Sequence, residues 1–374
     1  MATKSIRVGI ISANWGAHAH LPAWRSLEGV EVTAICTSRP ETAAAAARDF
    51  AIERPFHDFR AMAADPDLDI IDCGTRPPLR YQMVMAALDG GKHVYNGIPF
   101  APDLAAARDM AELRARTGLV GAVDAFMQAV PQLSLMKQMI DEGAIGALQG
   151  VRISMDQPLF THSLVNVPGY AWFADAANGA SIMRNIGSHL LHLLVHLFGP
   201  IESVVADLSV QAKRWTMPDG STVTPQVPDK AALLIRFESG LTAQLGACWS
   251  MPDGDGFRLE AWGGDGRMVA TAPGFPQAHD TRLFIGSIAE LGLRTGQEVA
   301  LPEDRKTVPG SSAHADSGRG GLFPMAAIFA SLLREIEGGG KAAPDFAQAV
   351  HVQQVVEAAD LSSDERRWVR VADL

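Results

Sequence analysis

Cysteine is scarce in this chain, three among 374 residues. Cys36, Cys73 and Cys248 form no CxxC pair and have no metal-ligand spacing with histidine. Neither a disulfide framework nor a bound metal is therefore expected, and the three read as buried free thiols of a reducing compartment. Positive charge is also short. Lys and Arg number 32 against 42 Asp and Glu, a net charge of −10. A nucleic-acid partner needs a basic face, and no long Lys/Arg run supplies one. No apolar run is long enough to cross a bilayer. The start, Met1-Ala2-Thr3-Lys4-Ser5, leads straight into a strand without the apolar core of a signal peptide, so a cytoplasmic protein is expected.

The chain is 47% apolar and 20% charged, an ordinary globular composition. Its length exceeds what one core usually serves, so two domains are expected, 1–125 and 126–374. Apolar runs Ile6 to Ser12, Glu31 to Cys36, Leu68 to Cys73 and His93 to Tyr95 alternate with helical stretches His18 to Leu27, Pro40 to Asp49 and Arg80 to Leu88. That alternation predicts βαβ units in a doubly wound α/β domain. In the second domain, strands are expected at Gly150–Met155, Val204–Val210, Lys230–Phe237, Thr242–Gly246, Arg258–Ala261 and Arg267–Ala270. Helices are expected at Leu322–Gly338 and Phe346–Ser362.

The first strand lacks the G-x-G-x-x-G phosphate fingerprint. Ser12-Ala13-Asn14-Trp15-Gly16 stands there, with Gly16 one residue out of register. Ser is small and Asn tolerates positive φ, so the loop can still seat a pyrophosphate at a helix start. A plain α/β domain without nucleotide is the alternative. The second strand lacks the carboxylate that would bind an NAD ribose. Thr37-Ser38-Arg39 offers two hydroxyls and a guanidinium, a set that suits the extra phosphate of NADP better than NAD. The same residues could simply cap a helix that starts at Pro40.

Taken together, several segments resemble the glucose–fructose oxidoreductase and inositol dehydrogenase (Gfo/Idh/MocA) family. They are Gly9-Ile10-Ile11, Trp15-Gly16, His20-Leu21-Pro22-Ala23, Thr75-Arg76-Pro77-Pro78, Gly91-Lys92-His93-Val94, Gly143-Ala144-Ile145-Gly146 and Gly187-Ser188-His189. The resemblance implies an N-terminal Rossmann domain and an α+β C-terminal domain with a large, mostly antiparallel open sheet. It implies a homodimer or homotetramer built on that sheet between about 150 and 300. It places Thr75, Arg76, Pro77, Asn96 and Pro99 beside the nicotinamide, and His189 in the catalytic helix.

What the chain lacks against the family pattern is chemical. The usual Glu-Lys-Pro reads Gly97-Ile98-Pro99, so the catalytic lysine is absent. The usual acid four residues before the catalytic histidine is Asn185, and a position often Asp is His192. Spacing i, i+4 would put Asn185 and His189 on one helical face. His189 is then the expected general acid/base, with Asn185 orienting the substrate. Gln128 stands where members often have Arg. Phe160, Tyr170, Trp172 and Phe173 precede the His189 helix and suggest a partly apolar hydroxy or carbonyl substrate, or else a core. Gln128, Trp172 and His192 are the expected substrate contacts. The main alternative is a catalytically silent NAD(P)-binding regulator of the galactose-gene repressor type, which also lacks the lysine; lyase- or hydrolase-like chemistry is a third. His314, in the Gly/Ser-rich stretch 309–321, reads as a loop residue.

Overall fold

The computed structural model describes residues 5–162, 166, 168–287 and 296–374, so Met1–Lys4 of the sequence reading lie outside it. The chain folds into two compact units. The first is Met1–Ala129 with Glu303–Val350, and the second is Val130–Pro302 with His351–Leu374. The single cut expected at residue 125 therefore misses the return of residues 303–350 to the first unit.

The first unit is a parallel sheet of β1 (Ile6–Ile11), β2 (Val30–Cys36), β3 (Arg54–Phe56), β4 (Ile70–Cys73), β5 (His93–Asn96) and β6 (Gly121–Val123). The strand order is β3-β2-β1-β4-β5-β6. This is the doubly wound order, with its reversal between β1 and β4. All four residues of β4 are buried, as a strand covered on both faces requires. Short helices α1 (Leu21–Trp24), α2 (Pro40–Asp49) and α3 (Phe59–Ala63) and longer α4 (Pro77–Asp89) and α5 (Leu104–Thr117) connect the strands. The helix expected over 18–27 is instead a π-helical turn, Gly16–His20, running into α1. Helix α5 was not read from the sequence. Its signals are Asp103, whose side chain accepts from the Ala106 N–H, and Gly118 at a left-handed φ of 67° after the last turn.

The second unit contains α6 (Pro131–Asp141), α7 (Ser188–Phe198) and a nine-stranded sheet. Its strands are β7 (Leu148–Asp156), β8 (Ile201–Ser209), β11 (Lys230–Phe237), β12 (Thr242–Cys248), β13 (Phe257–Gly263), β14 (Gly266–Ala272), β15 (Arg282–Ser287), β16 (Gln297–Glu298) and β17 (Val369–Arg370). A separate two-stranded ribbon pairs β9 (Trp215–Thr216) with β10 (Thr222–Val223). Only β7 and β12 pair in parallel within the nine-stranded sheet; its other described pairs are antiparallel. The expected mostly antiparallel open sheet is thus present. Strand β11 alternates exposed and buried residues without exception, so one face of the sheet packs inward and the other lies open. The chain closes with α8 (Leu322–Ile336) in the first unit and α9 (Phe346–Glu365), within which the division at Val350 falls. No described helix is long and apolar enough to cross a membrane.

Candidate functional site

In the first unit, the loop after β1 carries Ser12, Ala13, Asn14 and Trp15. The Ser12 Oγ accepts from the Asn14 N–H at 3.1 Å, and the Asn14 carbonyl accepts from the His18 N–H at 2.9 Å. Gly16 does not sit in the fingerprint register, yet it does a fingerprint glycine's packing. A Cβ there would lie 2.9 Å from Ile10 Cγ2, and one on Gly74 would lie 3.0 Å from the Gly16 Cα. The loops after β1 and β4 therefore approach backbone to backbone at the strand-order reversal. Gly74 was not singled out from the sequence, although a glycine directly after an apolar strand was its signal.

Below this loop lies a buried ionic network. His20 is fully buried; its Nδ1 is 2.9 Å from Asp72 Oδ1 and its Nε2 is 3.2 Å from Asp124 Oδ2. Both ring nitrogens face carboxylates, which requires the imidazolium form. Burial by itself lowers the pKa of His20, but the two carboxylates outweigh it and raise the pKa to about 10. Asp124 also accepts from the Tyr95 hydroxyl at 2.7 Å and from the indole N–H of the exposed Trp15 at 3.0 Å. Asp72 accepts from the Trp24 indole at 2.8 Å, and Trp24 stacks on Phe329 of α8 at 3.7 Å. The nucleotide loop is thus tied through Trp15 to a network none of whose carboxylates the sequence reading had identified.

At the end of β2, the Thr37 hydroxyl bonds the Thr42 hydroxyl at 2.6 Å and the Arg39 carbonyl at 3.2 Å. The cap position of α2 belongs to Arg39 and not to Thr37 or Ser38, and no side chain caps the helix. Ser38 and Arg39 are exposed, and Arg39 has no ion-pair partner among the described residues. At the end of β5, Asn96 is fully buried. Its amide N–H donates to the Phe100 carbonyl at 2.9 Å, while its Oδ1 has no donor among the described residues. A buried acceptor left open at a strand end and two glycines that meet backbone to backbone at the reversal fit a dinucleotide.

The loops after β4 and β5 are joined by Arg80, 4% exposed. Its Nε donates to the Thr75 carbonyl at 3.0 Å, and its two terminal nitrogens donate to the Thr75 and Pro99 carbonyls. Burial lowers its pKa to about 10, which leaves it cationic. Thr75 also donates its hydroxyl to Met83 Sδ at 3.2 Å, and Arg76 and Pro77 start α4. Ile98 is half-buried and packs on the apolar cluster of this unit. The lysine nearest in sequence, Lys92, is turned to the opposite end of β5, where its Nζ donates to the Leu68 carbonyl at 2.8 Å. Gln128 lies in a short 3-10 turn and accepts from Gln348 at 3.0 Å. The 309–321 stretch is tied down by the Leu27–Ser311 bridge and a Ser26–Ser311 hydroxyl bond at 2.8 Å. His314 in it is half-buried and faces Asp316.

In the second unit, Asn185 and His189 are not on one continuous α-helix. Asn185 belongs to a π-helical turn, Met183–Gly187, and α7 starts at Ser188. The Gly187 N–H reaches back five residues to the Ile182 carbonyl at 2.9 Å, which widens the turn. Gly187 makes room for this, since a Cβ there would meet the Met183 methyl carbon at 2.5 Å. His189 is 8% exposed and stands edge-on to Phe275 at 4.7 Å. His192, one helical turn on, is 1% exposed. Burial, helped by neighbouring His189 and His351, pushes its pKa down to about 3, so it is neutral at ordinary pH. The aromatic residues divide. Phe160 stacks on Trp215 at 3.8 Å and Phe173 on Trp249 at 5.4 Å, forming core. Tyr170 and Trp172 are half-buried at its edge.

A family described as "Oxidoreductase family, NAD-binding Rossmann fold" matches residues 6–125, and the "GFO/IDH/MocA C-terminal domain" matches residues 133–269. Dehydrogenase aclE of Aspergillus oryzae is 29% identical over 239 residues, covering 61% of this chain and 64% of that protein. The levoglucosan dehydrogenase of Pseudarthrobacter phenanthrenivorans is 24% identical over 404 aligned positions, covering 99% of each chain. A solved levoglucosan dehydrogenase in complex with NADH and levoglucosan superposes with a TM-score of 0.86 at 23% identity, over 98% of this chain and 99% of that one.

Proposed function

Because the chain belongs to the GFO/IDH/MocA oxidoreductase family and carries its NAD-binding Rossmann fold, we propose that it moves a hydride between NAD(P) and a CH–OH carbon of a small sugar-like substrate. The observation that carries this reading is the backbone-to-backbone approach of Gly16 and Gly74 at the β1/β4 reversal, which lies in the segment matched by the NAD-binding family. When bound, the nicotinamide supplies the hydride acceptor or donor. The protein must then handle the hydroxyl proton. With Ile98 in place of the usual lysine, His189 takes that proton in oxidation and returns it in reduction. Asn185 orients the hydroxyl by hydrogen bonds. His192, held neutral, serves as a hydrogen-bonding group and not as a second acid. Gln128 contributes a polar contact.

The stacking of Phe160 and Phe173 into the core weakens the case for a broadly apolar substrate. Trp172 remains as one apolar face, suited to the C–H surface of a sugar ring. NADP is preferred over NAD, because Arg39 is exposed and has no acidic partner among the described residues. A homodimer or homotetramer forms through the open face of the nine-stranded sheet. A second reading, a nucleotide-binding regulator without turnover, draws on Ile98 packed into the apolar cluster.

The test is a titration followed by a substrate panel. NADP(H) should bind more tightly than NAD(H) by calorimetry, and Arg39→Ala should erase most of the difference. Sugars and polyols should then change the absorbance of the nicotinamide. Equal affinities for the two nucleotides would remove the NADP preference. Binding without turnover on any sugar would favour the regulator.

A further inference from the structure

In the strand order β3-β2-β1-β4-β5-β6, a dinucleotide lies across the carboxyl ends of the strands at the β1/β4 reversal. The β1 loop takes the pyrophosphate and the β2 end takes the ribose of the adenosine half. The β4 and β5 loops are left to the other half, which carries the ring whose charge changes in the reaction. These are the two loops that Arg80 joins.

The Arg80 guanidinium spends its bonds on the Thr75 and Pro99 carbonyls. No carboxylate among the described residues lies within ion-pair distance of it. The acids in its field are Asp124 and Asp72, which share the single positive charge of His20. The neighbouring Cys73 thiol is pushed up by burial and stays uncharged. Arg76, on the same loop, is exposed. Gly97 is what admits the guanidinium: a Cβ there would lie 3.1 Å from Arg80 Cζ. Where the family pattern has a Glu-Lys pair of opposite charges, this chain has Gly97-Ile98 with none. Arg80 is thus the buried fixed charge of the two loops.

We propose that Arg80 is a positioning residue that locks the β4 and β5 loops together and sets the charge of the nicotinamide half of the site. Its fixed positive charge disfavours the cationic oxidised ring relative to the neutral reduced ring. The chain therefore holds the reduced nucleotide more tightly, relative to the oxidised one, than it does without that charge. The inference rests on dinucleotide binding but not on turnover or on the identity of the substrate.

The experiment measures dissociation constants of oxidised and reduced nucleotide, by calorimetry and by nicotinamide fluorescence. The proteins are the wild type, Arg80→Gln, which keeps an N–H donor, and Arg80→Lys, which keeps the charge. One charge acting over roughly 10 Å at an effective dielectric of about 20 is worth about tenfold in a binding ratio. The ratio of oxidised to reduced dissociation constants should fall by about that factor in Arg80→Gln and stay near wild type in Arg80→Lys. A purely structural arginine would weaken both forms in parallel. An unchanged ratio in folded Arg80→Gln, or equal ratios in the Gln and Lys variants, overturns the proposal. If thermal unfolding shows that Arg80→Gln does not fold, Arg80→Met removes the charge while filling the same space. The ratio should fall there too, and an unchanged ratio overturns the proposal. Failure of the wild type to bind either form counts against the oxidoreductase reading as a whole, which separates that failure from this one.

Discussion

An imidazole with a carboxylate on each nitrogen leaves one of them without a donor if it loses its proton. His20 is in that position, and its pKa rises from 6.5 to about 10. A raised folded-state pKa contributes stability that is fully present below about pH 6.5 and is lost as pH climbs through about 10. The melting temperature of the wild type should therefore fall across that window more steeply than that of His20→Gln, followed by circular dichroism. The variant should also be less stable at neutral pH, by about 3–5 kcal/mol, because it leaves buried carboxylates uncompensated. Parallel slopes in the two proteins would show that His20 is not the titrating group. The network was only half legible in the sequence. His20 stood out through the His-Leu-Pro-Ala segment, but its partners did not. Asp72 sits in an apolar strand, where a charge with no visible reason was itself the signal. Asp124 comes from a strand of three residues, too short for periodicity to show.

The open sheet of the second unit presents Ala232 and Leu234 of β11 on its exposed face, with Leu234 49% exposed. Beside them a shallow groove is lined by Ser154, Val205, Ala206 and Gly246. Covering such a face with a second copy removes apolar area from water. Leu234→Glu should shift light scattering from dimer or tetramer to monomer at micromolar concentration, with the sheet intact by circular dichroism. A wild type that is already monomeric would contradict this use of the face. The strands that build the sheet were legible where burial alternates, as in Lys230–Phe237, and where β-branched runs are covered on both sides, as in Ile6–Ile11. Three kinds of element were not. The short strands β3 and β6 and the two-residue strands have too few residues to show a period. The π-helical turns at Gly16–His20 and Met183–Gly187 look like ordinary helix in sequence, because their widening depends on tertiary packing around a glycine. The return of residues 303–350 to the first unit is a long-range event, which no local pattern encodes.

At the scale of the whole molecule, the first unit has the form of a dinucleotide-binding domain, and the second carries the one histidine that the family resemblance makes catalytic. The fold was readable because many segments in order point to it. The chemistry was less so, because charged positions of the family pattern, Gly97, Ile98 and Asn185 among them, are uncharged here. The compensation inferred for them, Arg80 against Gly97, is visible only once side chains are placed. The central claim is that His189 alone carries the proton. The most direct measurement is the pH dependence of turnover in the wild type and in His189→Ala, with nucleotide affinity measured alongside. Turnover should fall by about 10²–10⁴ in the variant, the range for losing a positioned acid–base group. Nucleotide affinity should hardly change. The wild-type profile should show a single ionisation, with no limb from His192, whose pKa burial holds at about 3. Full turnover in His189→Ala, or a second limb that persists without it, would contradict the claim.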